Sequence, residues 1–350
     1  MLAEFAGYED VDLNALLPFA GLLLGVLFGI VAQASRFCLR SAVVQSGSQG
    51  LSPMTGAYAL ALLAAIGGVQ MLAYTEMVDF GETRFVSDTL PLGALVLGGV
   101  MFGAGMVLTR GCASRLTVLT AQGNLRALTV LTIFAITAYA SLRGLLAAPR
   151  IAFTDATALT IATEHSILPV AGAFALVALL ALIVWRSGVG MWLALAGATV
   201  GIVIVGGWFA TGVLLADSFD PRPAESLAFT SGASDALFYG MASTALEPGF
   251  GSAMVGGVLI GAFLSALVRR ELRLESFDGP DQTVRYLGGA VLMGVGGVLA
   301  GGCTIGAGLT GLSTLTVAPL IAIVAIIGGA AATHAILGRD EIGVSMVPAE

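Results

Sequence analysis

The sequence predicts an all-α integral membrane protein of about nine transmembrane helices, with re-entrant segments and an inverted pseudo-twofold repeat. Three observations predict it. Of the 350 residues, 57% are hydrophobic and only 11% charged, against about 45–50% and about 25% in a soluble domain. A glycine pattern occurs twice. Gly98-Gly99-x3-Gly103-x-Gly105-x5-Gly111-Cys112 returns as Gly289-x4-Gly294-x-Gly296-x4-Gly301-Gly302-Cys303, with Gly98, Gly103, Gly105, Gly111 and Cys112 offset from their partners by 191 residues. Finally, the arginines are distributed unevenly between alternate connecting segments.

Spans of roughly 20 apolar residues fall at about Leu16–Gln33, Thr55–Val78, Pro91–Leu108, Leu125–Leu142, Ile167–Trp185, Met191–Phe209, Phe250–Val268, Tyr286–Ala300 and Val317–Ile336. Nine spans put the termini on opposite sides. With the N-terminus outside, the inner segments hold 11 arginines and the outer ones 4, while the acids divide 15 outside and 7 inside; the chain has no lysine. That bias gives an outer N-terminus, periplasmic in a bacterial inner membrane, and a cytoplasmic C-terminus. Met1–Asp12 carries four acids and no basic residue, so it does not read as a signal peptide. Glu76–Asp88 and Asp217–Asp235 read as acidic outer loops, and Arg269–Arg285 as the main cytoplasmic loop.

Under this topology the first Gly-Cys turn follows span three on the cytoplasmic side and the second follows span eight on the outer side. Residues 1–150 form a first half and residues 151–350 a second, together one membrane domain with its halves inverted. The segments Gly111–Asn124 and Gly302–Thr314 are too apolar for free loops and too short to cross, so they read as re-entrant segments dipping from opposite faces toward the midplane. Irregular backbone is tolerated there only where protein buries it or it lines a cavity. Glycine runs such as Gly21-x3-Gly25-x3-Gly29 and Gly257-x3-Gly261 read as helix-contact faces.

The chemistry of these turns favours an anion. Glu and Asp are absent from residues 90–150 and 282–339. What remains is backbone N–H at the start of a short helix, the hydroxyls of Ser114, Thr117 and Thr304, two thiols, and the guanidinium groups of Arg110 and Arg115 at the inner mouth. Cys112 and Cys303 are repeat mates, each directly after a glycine, Gly111 and Gly302. Cys38 lies in Arg36-Phe37-Cys38-Leu39-Arg40, at the end of the first span, where the flanking arginines make it a candidate for reactivity. Its alternative reading is an interfacial cysteine in a positive loop. A metal site lacks ligands: there is no C-x-x-C, and only His165 and His334 accompany the thiols. No cofactor motif is present.

Thr109-Arg110-Gly111-Cys112, Gly301-Gly302-Cys303-Thr304 and Ser35-Arg36-Phe37-Cys38 resemble the YeeE/YedE family of sulfur-transport membrane proteins, over essentially the whole chain. The resemblance implies a bacterial inner-membrane thiosulfate transporter with an hourglass-shaped body, helices that do not fully cross and a central path marked by cysteines. It implies a path role for Cys112 and Cys303, and less directly for Cys38. It also implies a small cytosolic sulfur carrier related to TusA as a partner. The chemistry agrees. Thiosulfate is a dianion with one soft terminal sulfur, and a neutral thiol is a weak donor that binds loosely enough to release. The expected relay runs from Cys303 to Cys112 and then to an inner mouth of Arg110, Arg115, Arg36 and Arg40. An inside-negative potential of about 100 mV costs an entering dianion roughly 4.6 kcal/mol, so uptake needs proton coupling or consumption inside. Glu164 and Glu247 lie at span edges, and no embedded carboxylate offers a proton route. The expectation is therefore a transporter, not an enzyme. The alternatives are a sulfur-transfer enzyme with a persulfide on Cys38, transport of a selenium species, or a scaffold for a sulfur-transferase complex.

Overall fold

The computed structural model describes residues 13–81, 83–86, 88–160, 167–216, 223–277 and 279–337. Met1–Asp12, Glu164, His165, Arg222 and Arg339 lie outside the described residues.

The chain is helical almost throughout. The helices are α1 (Leu17–Ser35), α2 (Leu39–Gln49), α3 (Pro53–Tyr74), α4 (Leu92–Leu108), α5 (Ala113–Ala121), α6 (Leu125–Arg143), α7 (Ala147–Ala156), α8 (Val170–Arg186), α9 (Met191–Phe209), α10 (Phe229–Ala242), α11 (Phe250–Val268), α12 (Pro280–Leu299) and α13 (Val317–Leu337). A π-helical turn, Ala210–Leu214, extends α9; another, Gly306–Gly311, runs into a 3-10 turn, Leu312–Thr314. Two three-residue strands, β1 (Thr89–Pro91) and β2 (Ala158–Thr160), pair antiparallel. Local chemistry sets several starts. Ser52 caps α3 by accepting from the Thr55 N–H, with Pro53 opening the helix. Asn124 caps α6 by accepting from the Ala127 N–H at 2.8 Å.

Among the described residues, seven helical stretches are long and apolar enough to cross a membrane: Leu17–Ser46, Pro53–Tyr74, Leu92–Ala121, Leu125–Arg143, Met191–Leu214, Phe250–Val268 and Val317–Leu337. They coincide with seven of the expected spans. The expected span Ile167–Trp185 is the shorter apolar helix Val170–Arg186. Tyr286–Ala300 belongs to the longer α12, whose polar opening (Asp281, Gln282 and Arg285) dilutes its apolar character. The expected cytoplasmic loop therefore ends at Pro280 rather than Arg285. The expected outer loop Asp217–Asp235 ends earlier too, because α10 begins at Phe229. Serine and glycine in that helix hid it from apolar periodicity.

Helix packing rests on small residues, because lipid-facing helices gain nothing from burying one another's aliphatic surface. Gly21, Gly25 and Gly29 of α1 abut the backbone of Phe250, Met254 and Val258 of α11, and Gly257 and Gly261 answer against Leu22 and Val26. Gly197 and Gly201 of α9 abut Ala57 and Ala61 of α3 in the same way. The packing is reciprocal. As α1 packs on α11, α9 packs on α3; as α4 packs on α13, α12 packs on α6; as α2 packs on α13, α10 packs on α6. At the centre α4 crosses α12. A Cβ on Gly105 would stand 2.5 Å from the Gly289 carbonyl oxygen, and one on Gly296 would stand 2.7 Å from that of Gly98. Applying the 191-residue offset to either contact yields the other.

Candidate functional site

Three helix breaks place the three cysteines. Helix α1 ends in a left-handed residue, Arg36 (φ 54°), whose N–H bonds Gln33 O while Phe37 N–H reaches back to Ala32 O. Cys38 follows in extended conformation and opens α2. Helix α4 ends the same way at Arg110 (φ 57°), with Arg110 N–H on Val107 O and Gly111 N–H on Met106 O. Cys112 then opens α5. These paired bonds are the Schellman closure. After α12 the left-handed residue is Gly301 (φ 71°), 191 positions beyond Arg110, and Cys303 again comes two residues later. A left-handed residue other than glycine costs roughly 1–2 kcal/mol, so arginine at two of the three breaks is held against backbone preference.

All three thiols are buried: Cys38 is 3% exposed, Cys112 1% and Cys303 0%. Burial overturns the reading of Cys38 as an interfacial loop residue. The α1–α2 break folds inward, and Cys38 Sγ comes to 3.7 Å from Cys112 Sγ. Cys112 Sγ also lies 3.3 Å from Ser114 Oγ. Cys303 Sγ accepts the Gly306 N–H at 3.3 Å. Thr304 Oγ1 is buried with no hydrogen-bond partner, which leaves that hydroxyl available. Thr117 differs from expectation: its hydroxyl donates to Ala113 O within its own helix. The two repeat copies also differ locally. Residues 113–121 are a regular helix, whereas Gly306, Gly308 and Gly311 leave the second copy as π and 3-10 turns, since glycine holds a regular helix poorly.

Sequence patterning gave no signal for Tyr58. It projects from α3, its ring stacks on Phe37 with centroids 5.8 Å apart, and its hydroxyl donates to Thr304 O at 2.6 Å. That hydroxyl lies within electrostatic reach of all three thiols.

Of the arginines expected at the inner mouth, Arg115 lies within electrostatic reach of Cys38, Cys112, Arg36 and Glu271, and its Nη1 is buried without a partner. Arg36 is exposed and stands 3.9 Å from Glu271. Arg40 is half-buried and Arg110 exposed, both with contacts of their own. Glu271 joins this group without having been expected there. It accepts from Gln33 Nε2 at 2.6 Å and pairs with Arg269 at 3.5 Å, while Ser265 Oγ donates to Gln33 Oε1 at 2.6 Å.

A cavity of about 350 Å³ lies between the start of α4 and the end of α12. Arg84, Arg150, Thr154, Thr230 and the Gly301–Gly302 turn line it. Arg150 is anchored by donating Nε–H to Ser141 O at 2.8 Å, and Thr230 Oγ1 is buried without a partner. The sequence shows Arg84 and Arg150 only as two of the few outer arginines; nothing in it brings them together.

Apolar helices in this number, broken by buried thiol-bearing turns, define a multi-pass membrane protein. The family described as sulphur transport matches residues 34–332, and the chain belongs to it. Two similar proteins are named thiosulfate transporter TsuA. The one from Spirochaeta thermophila is 28% identical over 328 residues, covering 87% of this chain and 94% of that protein. The one from Escherichia coli is 26% identical over 332 residues, covering 85% and 88%.

Proposed function

We propose that the protein takes up thiosulfate, or a closely related sulfur anion, across the bacterial inner membrane along a path through its three cysteines. The observation that carries this reading is the placement of every cysteine, buried, at a helix break, in a molecule whose repeat segments lack acids. Family membership and the names of the two relatives support the substrate class. The anion enters by the arginine-bearing cavity beside Cys303. It meets Cys303 and the free Thr304 hydroxyl, then Cys112, Ser114 and Cys38, and leaves past Arg115 and Arg36. Neutral thiols bind it weakly at each stop, and weak multi-site binding is what conduction requires. A TusA-like carrier consuming the sulfur inside would offset the electrical cost of entry.

Within this reading, α8 and α12 join the seven long spans to give nine crossings, with the N-terminus periplasmic and the C-terminus cytoplasmic. Residues 1–150 and 151–350 are inverted halves, and the breaks before α5 and after α12 are re-entrant from opposite faces. The reciprocal helix packing and the paired Gly98–Gly296 and Gly105–Gly289 contacts support that inversion.

The test is uptake of sulfur-labelled thiosulfate into cells with no other thiosulfate route. Uptake should exceed the empty-vector level and compete with unlabelled thiosulfate but not with excess sulfate. Cys112→Ala and Cys303→Ala should each lower it about tenfold or more, the scale of one lost stabilising contact of about 1.4 kcal/mol, at unchanged protein level. Wild-type uptake by both variants would sink the cysteine path.

A further inference from the structure

A path through Cys303 and the Cys38–Cys112 pair needs the outer turn and the inner break to act together, and they belong to different halves of the chain. Cys303 sits on the turn after α12, Cys38 and Cys112 at the starts of α2 and α5. The side chain of Tyr58 touches both regions. Tyr58 enters from α3, a helix that carries none of the thiols. Its ring lies nearly parallel to Phe37, with 14° between planes, and Phe37 is the residue before Cys38. Its hydroxyl donates to the carbonyl of Thr304, the residue after Cys303. Gly308, on the same turn, lies against the Tyr58 hydroxyl with no room for a Cβ.

We infer that Tyr58 is a positioning residue that latches the Cys303 turn to the Cys38 break, its hydroxyl bond to Thr304 O holding the outer thiol in place and its ring holding the inner one. This rests on the three-cysteine path, and it names the residue by which one thiol site feels the other. The 3-10 and π turns after Cys303 make the latch necessary. That turn contains five glycines between Gly301 and Gly311, so it carries little conformational restraint of its own. A carbonyl pinned by a phenol supplies what the backbone lacks. The phenol is a suitable pin because it has a single donor hydrogen and is fixed by only two side-chain torsions. When an anion reaches Cys303, the same hydroxyl can exchange Thr304 O, its acceptor at 2.6 Å, for an anion oxygen. Release of the turn is thereby tied to arrival of the substrate.

The test reads Cys303 directly. In purified protein carrying Cys38→Ala and Cys112→Ala, Cys303 is the remaining thiol, and its rate of modification by 2-sulfonatoethyl methanethiosulfonate is measured with and without Tyr58→Phe. The phenylalanine keeps the ring and its stacking on Phe37 and removes only the donor. The rate should rise about fivefold or more, the factor expected for one lost hydrogen bond. Phe37→Leu, a change beside Cys38, should raise the Cys303 rate as well, because it frees the ring from the other end. An unchanged rate in both variants overturns the latch, whatever happens to transport. In the protein with all its cysteines, Tyr58→Phe should lower thiosulfate uptake at unchanged protein level. A raised Cys303 rate with wild-type uptake would overturn the link between latch and transport. If the wild-type protein takes up no thiosulfate, the transport reading fails, and the modification rates alone decide the latch.

Discussion

The left-handed residue two positions before each cysteine is the smallest feature that organises the site. It stops one helix, turns the chain, and leaves the thiol at the head of the next segment. At Arg36 and Arg110 that position carries a guanidinium despite a backbone cost of roughly 1–2 kcal/mol; at Gly301 it carries none. Arg110→Gly should therefore cost less thermal stability than Arg110→Ala, which loses the same side-chain contacts, since glycine fits the conformation better, while on the proposed path both should reduce anion uptake through loss of positive charge. Melting temperature and labelled uptake, measured on the same preparation, separate the two effects. The residues of this site were only partly legible in the sequence. Cys112 and Cys303 stood out because the repeat marks them. The inward fold of Cys38 did not, since an Arg-Phe-Cys-Leu-Arg run reads as interfacial until Cys112 is seen across from it. Tyr58 and Glu271 were invisible because their partners lie 246 and 238 residues away, beyond the reach of any local pattern.

Among the elements, the long apolar helices were readable to within a few residues, because periodicity and length suffice for them. The short ones were not. Helices α2, α7 and α10 contain serine, glycine, glutamine or charge and are stabilised by packing against neighbours rather than by their own propensity. Glycine sets how closely the long helices approach. Gly105→Ala in α4 would drive a methyl into the Gly289 carbonyl of α12. It should destabilise the protein by about 1–3 kcal/mol, the usual cost of overpacking. Gly67→Ala in α3, where a Cβ meets nothing within 4 Å, should be neutral or stabilising by about 0.5–1 kcal/mol, the ordinary helix preference. Equal effects at the two positions, by thermal unfolding in one detergent, would contradict the close-crossing account. At the α5–α6 turn, Asn124→Ala should cost about 1 kcal/mol through loss of the cap on α6. It also frees Glu275, which accepts from Asn124 Nδ2.

At the scale of the whole molecule, among the described residues, each long helix of the first half packs most extensively on a helix of the second half. Helix α1 lies on α11, α3 on α9, α4 on α12 and α13, and α6 on α12. Expressed alone, residues 1–150 or 151–350 should reach the membrane but be degraded rapidly. Expressed together as two chains, the halves should protect each other from proteolysis and co-purify. Stable accumulation of either half by itself would show that the cross-packing contributes little.

This exchange of partners has a consequence in time. The glycine stripe of α1 is synthesised first, and its counterpart on α11 appears more than 200 residues later. At a synthesis rate of about 5–20 residues per second, the gap is roughly 10–40 s. Throughout that interval the newborn first half sits in lipid with its tightest contact faces empty and two arginine-bearing turns at its helix ends. The cell must shelter an unfinished molecule for most of its manufacture, and any lipid or chaperone occupying those faces meanwhile has to leave before the second half can take its place.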